Sequence, residues 1–236
     1  MGGYDWRGQL GTHVPVLLAA VDATTGPVVE FGTGYNSTPV LHDRVAGRGR
    51  RLLSLEADPT WLTRSAGLEA GLHELPLVDS WEIELARPEW DEPWSVVFVD
   101  QSGWKARAET VRRVALSAEL VVVHDCDALA REGLLGREDA PLRGPGDRGR
   151  RDYGDIFRSW RELFPPEPWP APTGPPTLLA SNRRDVGEIR VDFDAMVPLW
   201  WRVARHGRRF SPQLVRRRMA SLVGWAHDDR SSSSAT

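Results

Sequence analysis

Four short apolar runs set the rhythm of the chain: residues 28–31 (VVEF), 52–55 (LLSL), 96–99 (VVFV) and 120–123 (LVVV). Each is short, mostly β-branched or aliphatic, and shows little polar alternation, the pattern of strands covered on both faces of a parallel sheet. A helix is expected to begin between the first two, over residues 38–45. Between the last two, residues 105–116 carry Ala108, Val111 and Ala115 at helical spacing with charges elsewhere. This alternation predicts an α/β fold, a Rossmann-like doubly wound, mostly parallel sheet with helices on both faces. A weaker strand is expected over 73–78, ending at Asp79, a helix over 155–163, and a late strand over 177–180.

The remaining segments divide the chain. Residues 1–190 read as one ligand-binding α/β domain. Within it, the Gly-, Arg-, Asp- and Pro-rich segment 128–152 is either a lid over the site or a mobile loop. A proline-rich connector covers 165–176. Residues 191–228 are arginine-rich and helical in pattern, a C-terminal extension with Trp200 and Trp201 as packing anchors, and 229–236 read as a disordered tail.

Composition narrows the classes. With 236 residues, 41% hydrophobic and 27% charged, the chain fits a globular protein. No window approaches a membrane-spanning run, and no basic stretch precedes an apolar core at the N-terminus, so neither a membrane partner nor a signal peptide is expected. The lone Cys126 excludes an internal disulfide framework and points to a reducing, cytoplasmic compartment. A net charge of −3 argues against a general polyanion binder. The arginine clusters at 148–151 and 202–218 lack the aromatic interleaving of an RNA-binding surface, so nucleic acid is not an expected partner. A homo-oligomer remains open.

The chemistry concentrates at the strand ends. Residues 28–38, VVEFGTGYNST, run from a strand through a glycine turn into a helix. Gly32 and Gly34 allow a tight turn and close approach of a ligand, with Ser37 and Thr38 opening the helix. Glu30, two positions before Gly32, would repel a pyrophosphate over the helix N-terminus. It suits instead a ligand carrying an ammonium and a sulfonium, such as S-adenosylmethionine, and Ser37 replaces the third glycine of a dinucleotide fingerprint. Glu56 closes the second strand, 22 residues after Gly34, where a carboxylate can accept from both ribose hydroxyls. Asp79, Ser80 and Trp81 are candidates for an adenine pocket, Asp79 accepting from the exocyclic amine and Trp81 stacking.

Asp100 follows the third strong strand and His124-Asp125-Cys126-Asp127 the fourth. Two chemistries fit. His124 is a general base oriented by Asp100 or Asp125, histidine's ordinary pKa of about 6.5 lying near working pH. Otherwise Asp100, Asp125 and Asp127 hold Mg²⁺, a hard ion suited to oxygen ligands. Cys126 reads as a small buried side chain. His13, His42, His73, His206 and His227 show no metal-ligand spacing and are expected to cap or solvate helices. Arg107, Arg112 and Arg113 are expected on a solvent face, and Tyr153 and Trp104 on the rim of an acceptor pocket or in the core.

The segments EFGTGYNST, SLEAD, VDS, VFVDQS and VVVHDCD, in that order over about residues 28–127, resemble the class I S-adenosylmethionine-dependent methyltransferases, and PTLLASN resembles the final strand of that fold. The chain looks most like small O-methyltransferases, departing from the catechol type in lacking an Asp-Asn pair to complete a metal site. The resemblance implies methyl transfer from S-adenosylmethionine to a hydroxyl of a small-molecule acceptor, a sugar or secondary metabolite. Two other functions remain open: a methyltransferase-like interaction module without activity, and an NAD-linked oxidoreductase, which Glu30 and Ser37 disfavour.

Overall fold

A computed structural model describes residues 11–138, 151–165 and 175–193. All of these lie in the first of two compact units, Met1–Phe193. The expected tail and all but residues 191–193 of the expected helical extension fall in the second, outside the described residues. Residues 139–150 and most of the proline-rich connector also lie outside them. Of the loop expected over 128–152, the described parts instead belong to a helix ending at Arg131 and to short strands at Arg137–Glu138 and Arg151–Asp152.

In chain order the elements are α1 (Val14–Asp22), β1 (Val28–Phe31), α2 (Thr38–Arg44), β2 (Leu52–Leu55), α3 (Pro59–Ser65), β3 (His73–Glu74), α4 (Trp81–Leu85), β4 (Trp94–Val99), α5 (Trp104–Val114), β5 (Ala118–His124), α6 (Cys126–Arg131), β6 (Arg137–Glu138), β7 (Arg151–Asp152), β8 (Ser159–Leu163) and β9 (Thr177–Ser181). Seven strands form one sheet in the order β3-β2-β1-β4-β5-β9-β8, while β6 and β7 make a separate antiparallel pair. The pairs β1–β2, β1–β4, β2–β3 and β4–β5 are parallel; β9 is antiparallel to both β5 and β8. The fold is therefore the Rossmann-like, doubly wound α/β class expected from the apolar rhythm. Strand order reverses between β1 and β4. In open α/β sheets, that crevice beyond the strand C-termini is where ligands bind.

Alternating side chains divide the core between the two faces. Val28, Leu52, Val96, Phe98, Leu120 and Val122 pack under α1 and α2 with Leu17, Val21 and Leu41. Val29, Phe31, Val97, Val99, Val121 and Val123 meet α5 through Ala108, Val111 and Val114. α1 escaped the sequence reading because its segment, VPVLLAAVD, is apolar almost all round and carries no helical stripe of polar residues.

Two expected elements are corrected. The helix expected over 155–163 is instead a turn at Tyr153, where Ile156 and Phe157 donate to its carbonyl, followed by strand β8. β9 offers a free edge, and pairing all five residues from Ser159↔Ser181 to Leu163↔Thr177 overrides local helix preference. The strand expected over 73–78 shortens to His73–Glu74 because Pro76 has no N–H for a ladder; only the bridge Glu56↔Leu77 continues it.

Candidate functional site

The glycine turn is shaped first by the chain itself. Gly32 has φ +89°, and a Cβ there would lie 2.5 Å from both N and Cα of Gln101. Glycine is thus required by the approach of the β4 end as well as by the left-handed backbone. At the start of α2, the Thr38 hydroxyl accepts from the Gly34 N–H at 2.8 Å, closing the turn onto the helix. Ser37 is buried beside it.

Glu30 sits inside the sheet, in register with Ser54 on β2 and Phe98 on β4, and is fully buried. Neither carboxylate oxygen completes a hydrogen bond among the described residues. Burial pushes its pKa up to about 7; the nearby hydroxyls of Ser37, Ser54 and Thr38 pull downward, and Asp100 adds to the rise. A fully buried carboxylate without completed hydrogen bonds is costly in its charged form, and a positive charge beside it would offset that cost.

Glu56 is held by donors of the chain itself. One oxygen accepts from Thr33 N–H at 2.9 Å and Thr33 Oγ1 at 3.0 Å; the other accepts from Ala57 N–H at 2.8 Å and Asp58 N–H at 3.0 Å. A carboxylate has about four acceptor positions, and here the chain fills them all. Glu56 clamps the glycine turn to the β2 end. The adenine candidates separate. Trp81 is buried in the core beside Phe31, with ring centroids 6.1 Å apart, so it offers no free face for stacking. Ser80 caps α4 by accepting from Ile83 N–H at 3.2 Å, and Asp79 alone of the three is exposed.

The ends of β4 and β5 converge as expected, and more tightly. His124 Nδ1 lies 3.1 Å from Asp100 Oδ1, and Nε2 lies 3.4 Å from Asp125 Oδ1 and 3.4 Å from the Thr12 hydroxyl. Asp125 has φ 53°, the one non-glycine residue with positive φ among those described. That conformation costs roughly 1 kcal/mol or more for a residue with a Cβ. It turns the carboxylate toward His124 and Arg107 instead of capping α6. Burial pushes the Asp100 carboxyl up, but His124, His13 and Arg107 outweigh it and leave the group below its ordinary value. Asp125 moves the other way, raised by burial together with Asp100 and Asp127 against His124 and Arg107.

Two residues of this cluster were misassigned from sequence. Arg107 is buried, not on a solvent face. It donates to the carbonyls of Gln101 (2.8 Å), His124 (3.0 Å) and Asp100 (2.9 Å), pairs with Asp100 Oδ1 at 3.0 Å, and lies 4.7 Å over the Trp104 ring. It bolts together the ends of β4 and β5. Its spacing four before Val111 and seven before Val114 placed it on the buried stripe, a signal its charge concealed. His13, expected to cap or solvate a helix, is buried, stacks 5.1 Å from Phe98 and meets His124 edge-on at 4.3 Å. Nothing in sequence spacing links residue 13 to residue 124.

The oxygen-only Mg²⁺ set does not assemble. Asp127 is held by Arg131 at 2.6 Å one turn along α6. Among the described residues, the one group placed to share a metal ion is His13, Asp100 and His124, with ligand atoms all within 4.8 Å of one another. Two imidazoles and one carboxylate do not match the preference of Mg²⁺ for oxygen.

Tyr153 takes the core position of the two expected: it is buried, its hydroxyl pKa is raised by burial and by the Cys126 thiol beside it, and it lines a cavity of about 590 Å³ with Arg112, Leu134, Gly136, Asp152 and Ile156. Ala115 and Leu116, just past the end of α5, line the same cavity. Cys126 is buried, and burial raises its thiol pKa. His73, also buried, has its pKa lowered to about 4 by burial and by His42, whose Nδ1 lies 3.0 Å from its own. No helix of the described residues is long and apolar enough to cross a membrane.

Fold and site together define a doubly wound α/β protein with a cluster of polar side chains at its strand-order switch point. No family model and no curated protein matches the chain. Solved structures to which it is similar include the CcbJ methyltransferase from Streptomyces caelestis, with 20% identity over 48% of this chain and 50% of that one, TM-score 0.33. Another is CalS10, an amino pentose methyltransferase from Micromonospora echinaspora, with 14% identity, coverage of 50% and 52%, and TM-score 0.35. A third is the 23S rRNA methyltransferase ErmE, with 18% identity, coverage of 75% and 71%, and TM-score 0.40. The chain spans about half the length of the first two. All three are methyltransferases by name.

Proposed function

We propose that the protein is an S-adenosylmethionine-dependent methyltransferase that acts on a hydroxyl of a small molecule. One observation carries this reading: the glycine turn over buried Glu30 and the Asp100–His124–Asp125 cluster stand side by side at the switch point of the sheet. A cationic cofactor satisfies the first; a hydroxyl acceptor needs the second. S-adenosylmethionine bound there would supply the methyl group to the acceptor oxygen and leave as a neutral thioether. The hydroxyl proton passes to His124, whose two ring nitrogens lie between carboxylates that balance the charge it gains.

The test is incubation with S-adenosylmethionine and a panel of sugars and phenols, reading S-adenosylhomocysteine release together with a product heavier by one methyl group. Transfer to a hydroxyl, lost in His124→Ala, supports the reading. Cofactor binding without transfer to any acceptor overturns it in favour of a binding module.

A further inference from the structure

We infer that His13, Asp100 and His124 form a binding site for a borderline divalent transition-metal ion of the Zn²⁺, Fe²⁺ or Mn²⁺ class, with Asp125 as the outer carboxylate that orients His124. The argument begins with the hydrogens of one imidazole. His124 presents Nδ1 to Asp100 Oδ1 at 3.1 Å and Nε2 to Asp125 Oδ1 at 3.4 Å. A neutral imidazole carries one N–H. Whichever nitrogen holds it, the other aims a lone pair at a carboxylate oxygen. Thr12 does not resolve this conflict: its single hydroxyl hydrogen has a nearer acceptor in the Pro175 carbonyl, at 3.2 Å, than in His124, at 3.4 Å. A cation between ring and carboxylate removes the conflict.

His13 stands at the same place. That ring is held against His124 at 4.3 Å and against Phe98 at 5.1 Å, and one of its nitrogens falls within 4.8 Å of the Asp100 and His124 ligand atoms. An ion among Asp100, His124 Nδ1 and His13 uses all three. It leaves His124 Nε2–H to donate to Asp125. Metal-ligating histidines commonly donate their second nitrogen to a carboxylate in this way. The left-handed backbone of Asp125, otherwise a local cost, sets that carboxylate in place. The local charge allows a dication, since two carboxylates face the single guanidinium of Arg107. Access comes from the Asp100 and Asp125 side, where the side chains are 21% and 28% exposed. Two nitrogen donors and one oxygen favour a borderline ion over Mg²⁺.

The inference rests on the methyl-transfer reading only for the use made of the ion, which would polarise the acceptor hydroxyl in place of the bare imidazole. Binding is therefore measured with neither cofactor nor acceptor present. The full chain, untagged and stripped with EDTA, is titrated with Co²⁺, followed by visible absorption and calorimetry, and then with Zn²⁺ in competition. One equivalent is expected to bind, with nitrogen-ligand d–d bands that millimolar Mg²⁺ does not abolish. Affinity should fall at least tenfold in His13→Gln and in Asp100→Asn, and by 10- to 100-fold in Asp125→Asn, which keeps all three ligands. Thermal melts of the stripped variants show that each is folded. Absence of Co²⁺ binding, binding unchanged in His13→Gln, or displacement by Mg²⁺ would overturn the site. Any of these leaves cofactor binding untouched, and loss of cofactor binding leaves the metal titration untouched.

Discussion

Replacing Glu30 by glutamine removes a charge from the centre of the sheet while keeping shape and volume. The wild-type carboxyl is raised from an ordinary 4.5 to about 7, first by burial. The folded protein therefore holds this proton more tightly than the unfolded chain does. Its stabilising contribution is complete below pH 4.5 and is lost as pH rises through 7. The shift corresponds to about 3 kcal/mol between these limits. Glu30→Gln should accordingly be close to neutral at pH 5 and stabilising by about 3 kcal/mol at pH 8. The melting temperature at pH 8 should rise by roughly 6–12 °C for a domain of this size. Urea unfolding at both pH values, followed by tryptophan fluorescence, measures the difference. The variant should also bind S-adenosylmethionine more weakly at pH 8, because the neutral amide cannot answer the cofactor's positive charge. Stability gained with binding lost is the mark of a strained functional group. Equal stability of the two proteins at pH 8, or a gain confined to pH 5, would refute the reasoning.

Arg107→Leu should destabilise the protein by about 3–5 kcal/mol, because it leaves Asp100 and three carbonyls at the crest without their shared donor; a denaturation midpoint within error of wild type would contradict this. Glu56→Gln replaces an all-acceptor group with one that must present N–H to some of the four donors now pointing at it. It should cost about 1–3 kcal/mol and loosen the turn, read as a lower melting temperature together with weaker S-adenosylhomocysteine binding. Weaker binding with no loss of stability would return Glu56 to a purely ligand-facing role.

The strands of the central sheet were legible because burial on both faces leaves uninterrupted apolar runs, and the mostly parallel, doubly wound class followed from their alternation with helices. β8 was not, because SWREL has no strand signature of its own; its conformation comes from the open edge of β9, a partner distant in sequence. The glycine turn was legible in position but only partly in cause: Gly32 answers to the backbone of Gln101 as much as to any ligand. Asp100, His124 and Asp125 could be placed at one sheet edge because parallel strands bring their C-termini together. His13 and Arg107 could not, since one arrives from the N-terminal segment and the other reaches back across the strand ends from α5. Glu56 shows the limit of a motif, which fixes a residue's position but not whether neighbouring N–H groups already occupy it.

The central claim is that the turn over Glu30 takes S-adenosylmethionine. Calorimetric titration of the full chain with S-adenosylhomocysteine at pH 8 tests it most directly, with melting temperature followed in parallel. One equivalent should bind, and ligand at about a hundred times its Kd should add about 2.7 kcal/mol to stability. S-adenosylmethionine should compete for the same site and NAD should not. No heat and no change in melting temperature at millimolar S-adenosylhomocysteine, or displacement by NAD, would contradict the account.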